Sequence, residues 1–389
     1  MRYDLIQPRR VLFGWGRRAE LGQLAANVGR RALLVTGSRT LERSGVIAEL
    51  RENLAAAGVE SVDVAQISRE PEVADVDAAV AKARSLRPAT GDLVVGIGGG
   101  SALDLAKAVA GLATNDGDSV VDFLEGVGTG AQIIHAPLPV LAVPTTSGTG
   151  SEATKNAVIS SYDPTFKKSL RSDRMLPQAV LIDPELTVSS PPHVTAHSGM
   201  DAITQLIESY VSCRAQPVTR ALCREGLVRA WPHLLTACRD GDSRPAREAM
   251  AHAAFLSGVA LANSGLGLAH GVAAALGVHH RVPHGLACAV MLPITLRANR
   301  TTCELDFAEL ARAVLPDAPR WDAAAADAFI DGVCRLAADV GIPSSLSELG
   351  VQTADIPALV KSSHGNSRSG NPRDVSDEEL SELLTAVTG

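Results

Sequence analysis

The stretch Pro144-Thr145-Thr146-Ser147-Gly148-Thr149-Gly150-Ser151-Glu152 decides how this chain is read. It follows the apolar run Leu138-Pro139-Val140-Leu141-Ala142-Val143, so it lies just beyond the end of a buried strand. Hydroxyls and bare glycine backbone crowded at a strand end offer many donors in a small space. That suits close approach to a phosphate or to a flat polar ring. A second stretch upstream has the same character: Leu93-Val94-Val95-Gly96-Ile97-Gly98-Gly99-Gly100-Ser101, then Ala102-Leu103-Asp104-Leu105-Ala106-Lys107-Ala108. It reads as strand, glycine turn and helix. Two anion-ready turns at the ends of neighbouring strands predict one nucleotide site lying across them.

Working outward, Val11 to Gly16 reads as a short strand entering a glycine turn, and Arg31 to Thr36 as a buried strand followed by the turn Gly37-Ser38-Arg39-Thr40. A helix is expected over Leu41 to Ala57, a strand near Val62 to Ala65, a helix over Val76 to Leu86, and a strand over Asp92 to Ile97. This alternation predicts a parallel sheet with right-handed crossovers, whose ligands sit beyond the carboxyl ends of the strands. The pattern continues through Asn156 to Ser160 and Ala179 to Asp183. From Pro191 onward the periodicity is helical and rich in Ala and Leu. The expected organisation is an α/β domain over 1–185 and a helical domain over 186–389. Ser376 with Glu379 predicts a capping box at the start of a final helix carrying Leu380, Leu383 and Leu384.

The composition excludes several classes. The 389 residues carry a net charge of −7 with no basic run, which speaks against nucleic-acid binding. No segment approaches the length of an apolar membrane span, so no membrane partner and a cytoplasmic location are expected. Aromatics make up 3%, so the cores must be built from Leu, Val and Ala. The six cysteines form no C-x-x-C pair and read as buried reduced thiols.

Gly98-Gly99-Gly100-Ser101 lacks the spacing of the G-x-G-x-x-G fingerprint, but beside the Pro144–Glu152 stretch it reads as a pyrophosphate cradle at a helix N-terminus. The Gly37-Ser38-Arg39 turn lies where an adenosine ribose is met. An acidic residue there would bond the ribose hydroxyls; Ser38 and Arg39 instead suit a 2′-phosphate, which favours NADP over NAD. In the second half, Asp201 and Gln205 share a helix face, four residues apart. His270 and His284 lie far downstream; two His with Asp201 and an open position would suit Zn2+ or Fe2+ acting on an alkoxide or carbonyl oxygen.

Together these motifs resemble the iron-containing (group III) alcohol dehydrogenases, in the superfamily that also holds glycerol dehydrogenase and dehydroquinate synthase. The resemblance covers nearly the whole chain, through GGGSALDLAK at 98–107, PTTSGTGSE at 144–152, the Asp201 segment, both histidine motifs and Asn371-Pro372-Arg373. It implies a Rossmann-like α/β dinucleotide-binding domain, an all-α C-terminal domain, catalysis in the cleft between them, and a homodimer. Carried over by position, Asp201, His270 and His284 are three of four metal ligands. Gly98, Gly99, Gly100 and Ser101 form the pyrophosphate loop, with Asp104 and Lys107 on its helix. Thr145, Thr146, Ser147 and Thr149 line the cofactor.

This chain departs from the family twice. The fourth ligand should be histidine and is Gln205, and a histidine that helps to move protons is Ala274. With Gln205 as a neutral ligand the metal is held more loosely, is a different metal, or is absent, in which last case His279, His280 or Lys155 meets the oxyanion. The implied activity is an NAD(P)-dependent oxidoreductase interconverting a small alcohol and its aldehyde or ketone. An anionic carbonyl substrate such as maleylacetate or a phosphonate aldehyde, served by Arg171, Arg281 and Lys155, is the variant reading. The pocket is expected near Phe166, Leu268 and Val278. A lyase like dehydroquinate synthase and a non-catalytic nucleotide binder are the readings from other classes.

Overall fold

A computed structural model describes residues 2–37 and 39–388. The chain divides into two compact units. The sheet unit comprises Gln7–Thr146 and Ser151–Ser189, and the helical unit comprises Met1–Ile6, Ser147–Gly150 and Ser190–Gly389. The division falls at Ser189/Ser190 rather than after 185, and the middle of the Pro144–Glu152 stretch groups with the helices.

The strands are β1 (Arg10–Phe13), β2 (Arg31–Thr36), β3 (Glu60–Gln66), β4 (Asp92–Gly98), β5 (Val140–Pro144), β6 (Asn156–Tyr162), β7 (Thr165–Arg171) and β8 (Ala179–Ile182). Six of them form a parallel sheet in the order β1-β8-β5-β4-β2-β3. Strand β4 is buried along its whole length. Alternate residues feed two cores: Leu33, Val35 and Val94 enter the core on one face, while Ala32, Leu34, Leu93 and Val95 enter the other. A sheet covered on both faces needs such unbroken apolar strands. After β2 the chain moves outward to β3 at one edge, and from β4 it moves the other way to β5. The order therefore reverses between β2 and β4, the crevice where doubly wound sheets take their ligands.

Three sequence expectations need correction. The helix over 41–57 is two helices, Arg39–Arg43 and Val46–Ala56, interrupted at Gly45, which has the left-handed φ of 83°. The segment 156–160 does not extend the main sheet. It is half of an antiparallel hairpin, β6 with β7, which packs Ala157, Ile159 and Leu170 into the sheet unit's core. The final capping box is half made: Ser376 Oγ accepts the Glu379 amide at 3.1 Å, but the Glu379 carboxylate pairs with Arg373 at 2.9 Å instead of the cap.

The helical unit is built around Pro192–Val211, which is buried almost completely from Gly199 to Val211. Against it pack Pro217–Arg239, Arg244–Ser264 and His284–Asn299, and Leu268–His280 in turn packs on His284–Asn299. No single helix among the described residues is long and apolar enough to cross a membrane.

Candidate active site

In the sheet unit, three turns meet at the carboxyl ends of β2, β4 and β5. The Gly37 amide donates to Ile97 O at 2.8 Å, and the Thr145 amide to Gly98 O at 3.0 Å. A Cβ on Gly98 would lie 3.0 Å from Gly37 Cα, and one on Gly99 would lie 3.2 Å from Thr146 Oγ1. A side chain at Gly98 would press on the Gly37 backbone, so glycine there is what lets those two turns touch, whereas at Gly99 only the Thr146 side chain would have to give. Gly99 precedes the first turn of the helix Gly100–Leu112, which contains Ser101 and presents its unpaired amides here. Arg39 opens its short helix as an exposed residue; Ser38 lies outside the described residues.

Asp104 and Lys107, on the same helix, both face protein. Lys107 is fully buried, and its ammonium donates to Ser151 O (2.9 Å), Ser151 Oγ (2.7 Å) and Thr154 Oγ1 (2.8 Å). Asp104 pairs with Lys107 at 3.0 Å and accepts the Val158 amide at 2.9 Å. Burial lowers the Lys107 pKa against the opposing pull of Asp104. The two residues pin the chain after Gly150 onto the helix. Nearby Glu152 is buried and its carboxyl is pushed up to about 7 by burial, with Lys107 pulling the other way. Lys155 pairs with Asp173 at 2.6 Å and Arg171 with Glu125 at 3.0 Å, so two of the three cations considered for an anionic substrate are engaged by carboxylates.

In the helical unit, Gly148 and Gly150 lie on the backbones of Ser198 and Gly258, which seats the segment carrying Ser147 and Thr149. Ser147 is 8% exposed, and its Oγ has no hydrogen-bond partner among the described residues. A buried hydroxyl of this kind is ready to bond a partner supplied from outside the chain, whether water or ligand.

Asp201, His270, His284 and Cys288 converge deeper in the same unit, with one ligand atom from each lying within 4.8 Å of the others. Asp201 and His270 are 1% and 3% exposed. His270 Nε2 lies 3.3 Å from Asp201 Oδ1, and Cys288 Sγ lies 3.7 Å from His284 Nε2. Three helices supply these groups: Pro192–Val211, Leu268–His280 and His284–Asn299. Glu208, two turns beyond Asp201, accepts the Gly267 amide (3.0 Å), the Ala269 amide (2.7 Å) and the His270 Nδ1–H (2.6 Å). One carboxylate thereby caps the helix Leu268–His280 and fixes the histidine ring, leaving Nε2 to face Asp201.

Burial opposes the charged form of His270, but Cys288, Asp201 and Glu208 around it carry its pKa well above the ordinary histidine value. Burial likewise works against ionised Asp201, yet the His270 hydrogen bond and the charges of both histidines hold it below the usual carboxylate range. Burial pushes the Cys288 thiol up to about 12. These donors fit a divalent cation, which replaces the proton on an imidazole nitrogen and deprotonates a coordinating thiol.

Gln205 is buried one turn from Asp201, with its Oε1 2.7 Å from the Ser257 hydroxyl. His279 Nε2 meets Ser362 Oγ at 2.8 Å, and His280 Nε2 lies 3.5 Å from Asp355. In the sequence, Cys288 reads as a buried reduced thiol with no role in the site. Its position four residues after His284, on one helix face, was the available signal. All six cysteines are free thiols, but only Cys223, Cys288 and Cys303 are buried; Cys238 and Cys334 are half-buried and Cys213 is exposed.

A parallel sheet with anion-ready turns at its order reversal, and a largely buried Asp-His-His-Cys cluster among helices, are the features a nucleotide-dependent oxidoreductase needs. The family comparison agrees over both halves: residues 8–184 match the model for iron-containing alcohol dehydrogenase, and 195–388 match the C-terminal model of that family. The chain belongs to the iron-containing alcohol dehydrogenase family. It is 35% identical over 349 residues to a long-chain-alcohol dehydrogenase of Geobacillus thermodenitrificans, covering 90% of this chain and 87% of that one. A crystal structure of a 1,3-propanediol oxidoreductase superposes with a TM-score of 0.92 at 32% identity over the full length of both chains. A sulfoacetaldehyde reductase of Bifidobacterium kashiwanohense, solved with NAD+, gives 0.89 at 30% identity, covering 100% of this chain and 99% of that one.

Proposed function

We propose that the chain reduces a small aldehyde or ketone to its alcohol, and runs the reverse reaction, with NADP(H) as the preferred hydride carrier and a divalent metal in the helical unit. The observation that carries this reading is the largely buried convergence of Asp201, His270, His284 and Cys288 within 4.8 Å. A metal held there supplies Lewis-acid polarisation of the substrate oxygen.

The chain's own residues do the rest. Gly98, Gly99, Gly100 and Ser101 offer backbone amides to the pyrophosphate, and Gly37 leaves room where β2 and β4 adjoin. Thr145, Thr146, Ser147 and Thr149 supply hydroxyls along the cofactor, the buried Ser147 Oγ being the clearest candidate. Glu208 holds His270 so that Nε2 keeps its direction when the proton on that nitrogen leaves. Arg39, with no acidic residue from 37 to 40, supports a 2′-phosphate.

Turnover of a panel of small aldehydes, measured with NADPH and NADH before and after chelation, tests the proposal. Loss of activity on chelation, restored by added metal, is expected, along with a higher kcat/KM for NADPH that falls in Arg39→Ala. Full activity from metal-free protein overturns the metal assignment. An NADH preference untouched by Arg39→Ala overturns the cofactor assignment.

A further inference from the structure

We propose that Cys288, as a thiolate, is the fourth side-chain ligand of a zinc site formed with Asp201, His270 and His284, and that Gln205 stands outside the ligand set. This rests on the reading above that the three other residues hold a metal.

Geometry supports the assignment first. A tetrahedral zinc with bonds of about 2.0–2.1 Å to nitrogen and oxygen and about 2.3 Å to sulfur places neighbouring ligand atoms about 3.3–3.6 Å apart. The His270 Nε2 to Asp201 Oδ1 separation is 3.3 Å, and the Cys288 Sγ to His284 Nε2 separation is 3.7 Å. Two edges of the tetrahedron are thus already set at about the right length, one with sulfur and one without. His284 and Cys288 stand on successive turns of one helix, so the backbone keeps the two side chains on one face.

Chemistry supports it second. The amide oxygen of Gln205 is neutral and already meets the Ser257 hydroxyl at 2.7 Å. A thiolate is anionic and soft, and among the common divalent ions it draws zinc rather than magnesium or manganese. Zinc also accepts a fifth ligand, so four side chains do not bar an incoming oxygen.

The test uses the full-length protein stripped by chelator and refilled with Co2+, which reports on its ligands by absorption. Visible d–d bands report that the ion is bound; a near-ultraviolet band reports a thiolate bond. The wild type is expected to show both, Cys288→Ser to keep the visible bands and lose the near-ultraviolet one, and Gln205→Ala to keep both. Zinc affinity in Cys288→Ser is expected to fall by at least about tenfold, since even outer partners of metal ligands cost 10–100-fold.

Visible bands without the near-ultraviolet band in the wild type, or a near-ultraviolet band that survives in Cys288→Ser, overturn the assignment while leaving the metal reading intact. No uptake of Co2+ by the wild type overturns both. X-ray absorption of the zinc-loaded wild type is the second measurement and needs no variant: one sulfur at about 2.3 Å supports the proposal, and a shell of nitrogen and oxygen alone overturns it.

Discussion

A Cβ placed on Gly285 would lie 2.4 Å from the carbonyl oxygen of His197, so the helix bearing His284 and Cys288 meets the helix bearing Asp201 backbone to backbone. No side chain fits between them. Gly285→Ala must push these helices apart at the level of the cluster. The expected cost is about 1–3 kcal/mol of stability, as for other overpacked sites, together with weaker metal retention. Thermal unfolding and metal content after dialysis check this; an unchanged melting temperature and full metal content contradict it.

Glu208 serves two amides and an imidazole at once, all at 3.0 Å or less. Glutamine keeps the shape but gives up the charge and one accepting atom. Glu208→Gln is expected to lower metal affinity 10–100-fold and stability by roughly 1.5–3 kcal/mol. Competition against a metal indicator measures the first effect and denaturant unfolding the second.

Glu152 sets a pH dependence whose sign can be stated. Its carboxyl titrates at about 7 in the folded chain, against an ordinary value of 4.5. Below 4.5 both folded and unfolded chains hold the proton. As pH rises from there to about 7 the unfolded chain releases it first, so folded stability falls by up to about 1.4 kcal/mol per pH unit and then levels off. Glu152→Gln removes this component. The variant's melting temperature is expected to gain on the wild type across that window, and parallel curves would contradict the assignment.

Asn299 and Asn371 exchange amide hydrogen bonds inside the helical unit, at 2.8 and 3.0 Å. Asn371→Ala leaves the buried Asn299 amide short of a partner, at an expected cost of about 1–3 kcal/mol. Replacing both with alanine is expected to cost less than the sum of the single changes. A double-mutant cycle from denaturant unfolding measures that difference.

Much of this was legible in the sequence because the strands β2, β4 and β5 are continuous apolar runs ending in glycine or hydroxyls, a pattern with few other meanings. The hairpin strand β7 was not legible. Its sequence Thr165–Arg171 carries adjacent lysines, and only pairing with β6 turns Leu170 inward. The break at Gly45 was obscured because the apolar spacing runs on across it. The Asp201, His270 and His284 assignment came from resemblance, and their convergence depends on helix packing that spacing along the chain does not encode. Cys288 was missed for the same reason: its turn-to-turn relation with His284 becomes chemistry only once Asp201 and His270 are brought alongside. Asp104 shows the converse, since a residue in a nucleotide motif gives its carboxylate to Val158 and Lys107.

A protein that meets aldehydes exposes its amines to imine formation, and Lys107 has a specific immunity to it. Its ammonium is enclosed by Ser151, Thr154 and Asp104, with 1% of the side chain exposed. To react it must lose its proton and leave those partners, which requires the segment from Ser151 to Val158 to lift off the helix. Protection of Lys107 from a carbonyl reagent therefore reports how firmly that segment is held on the helix.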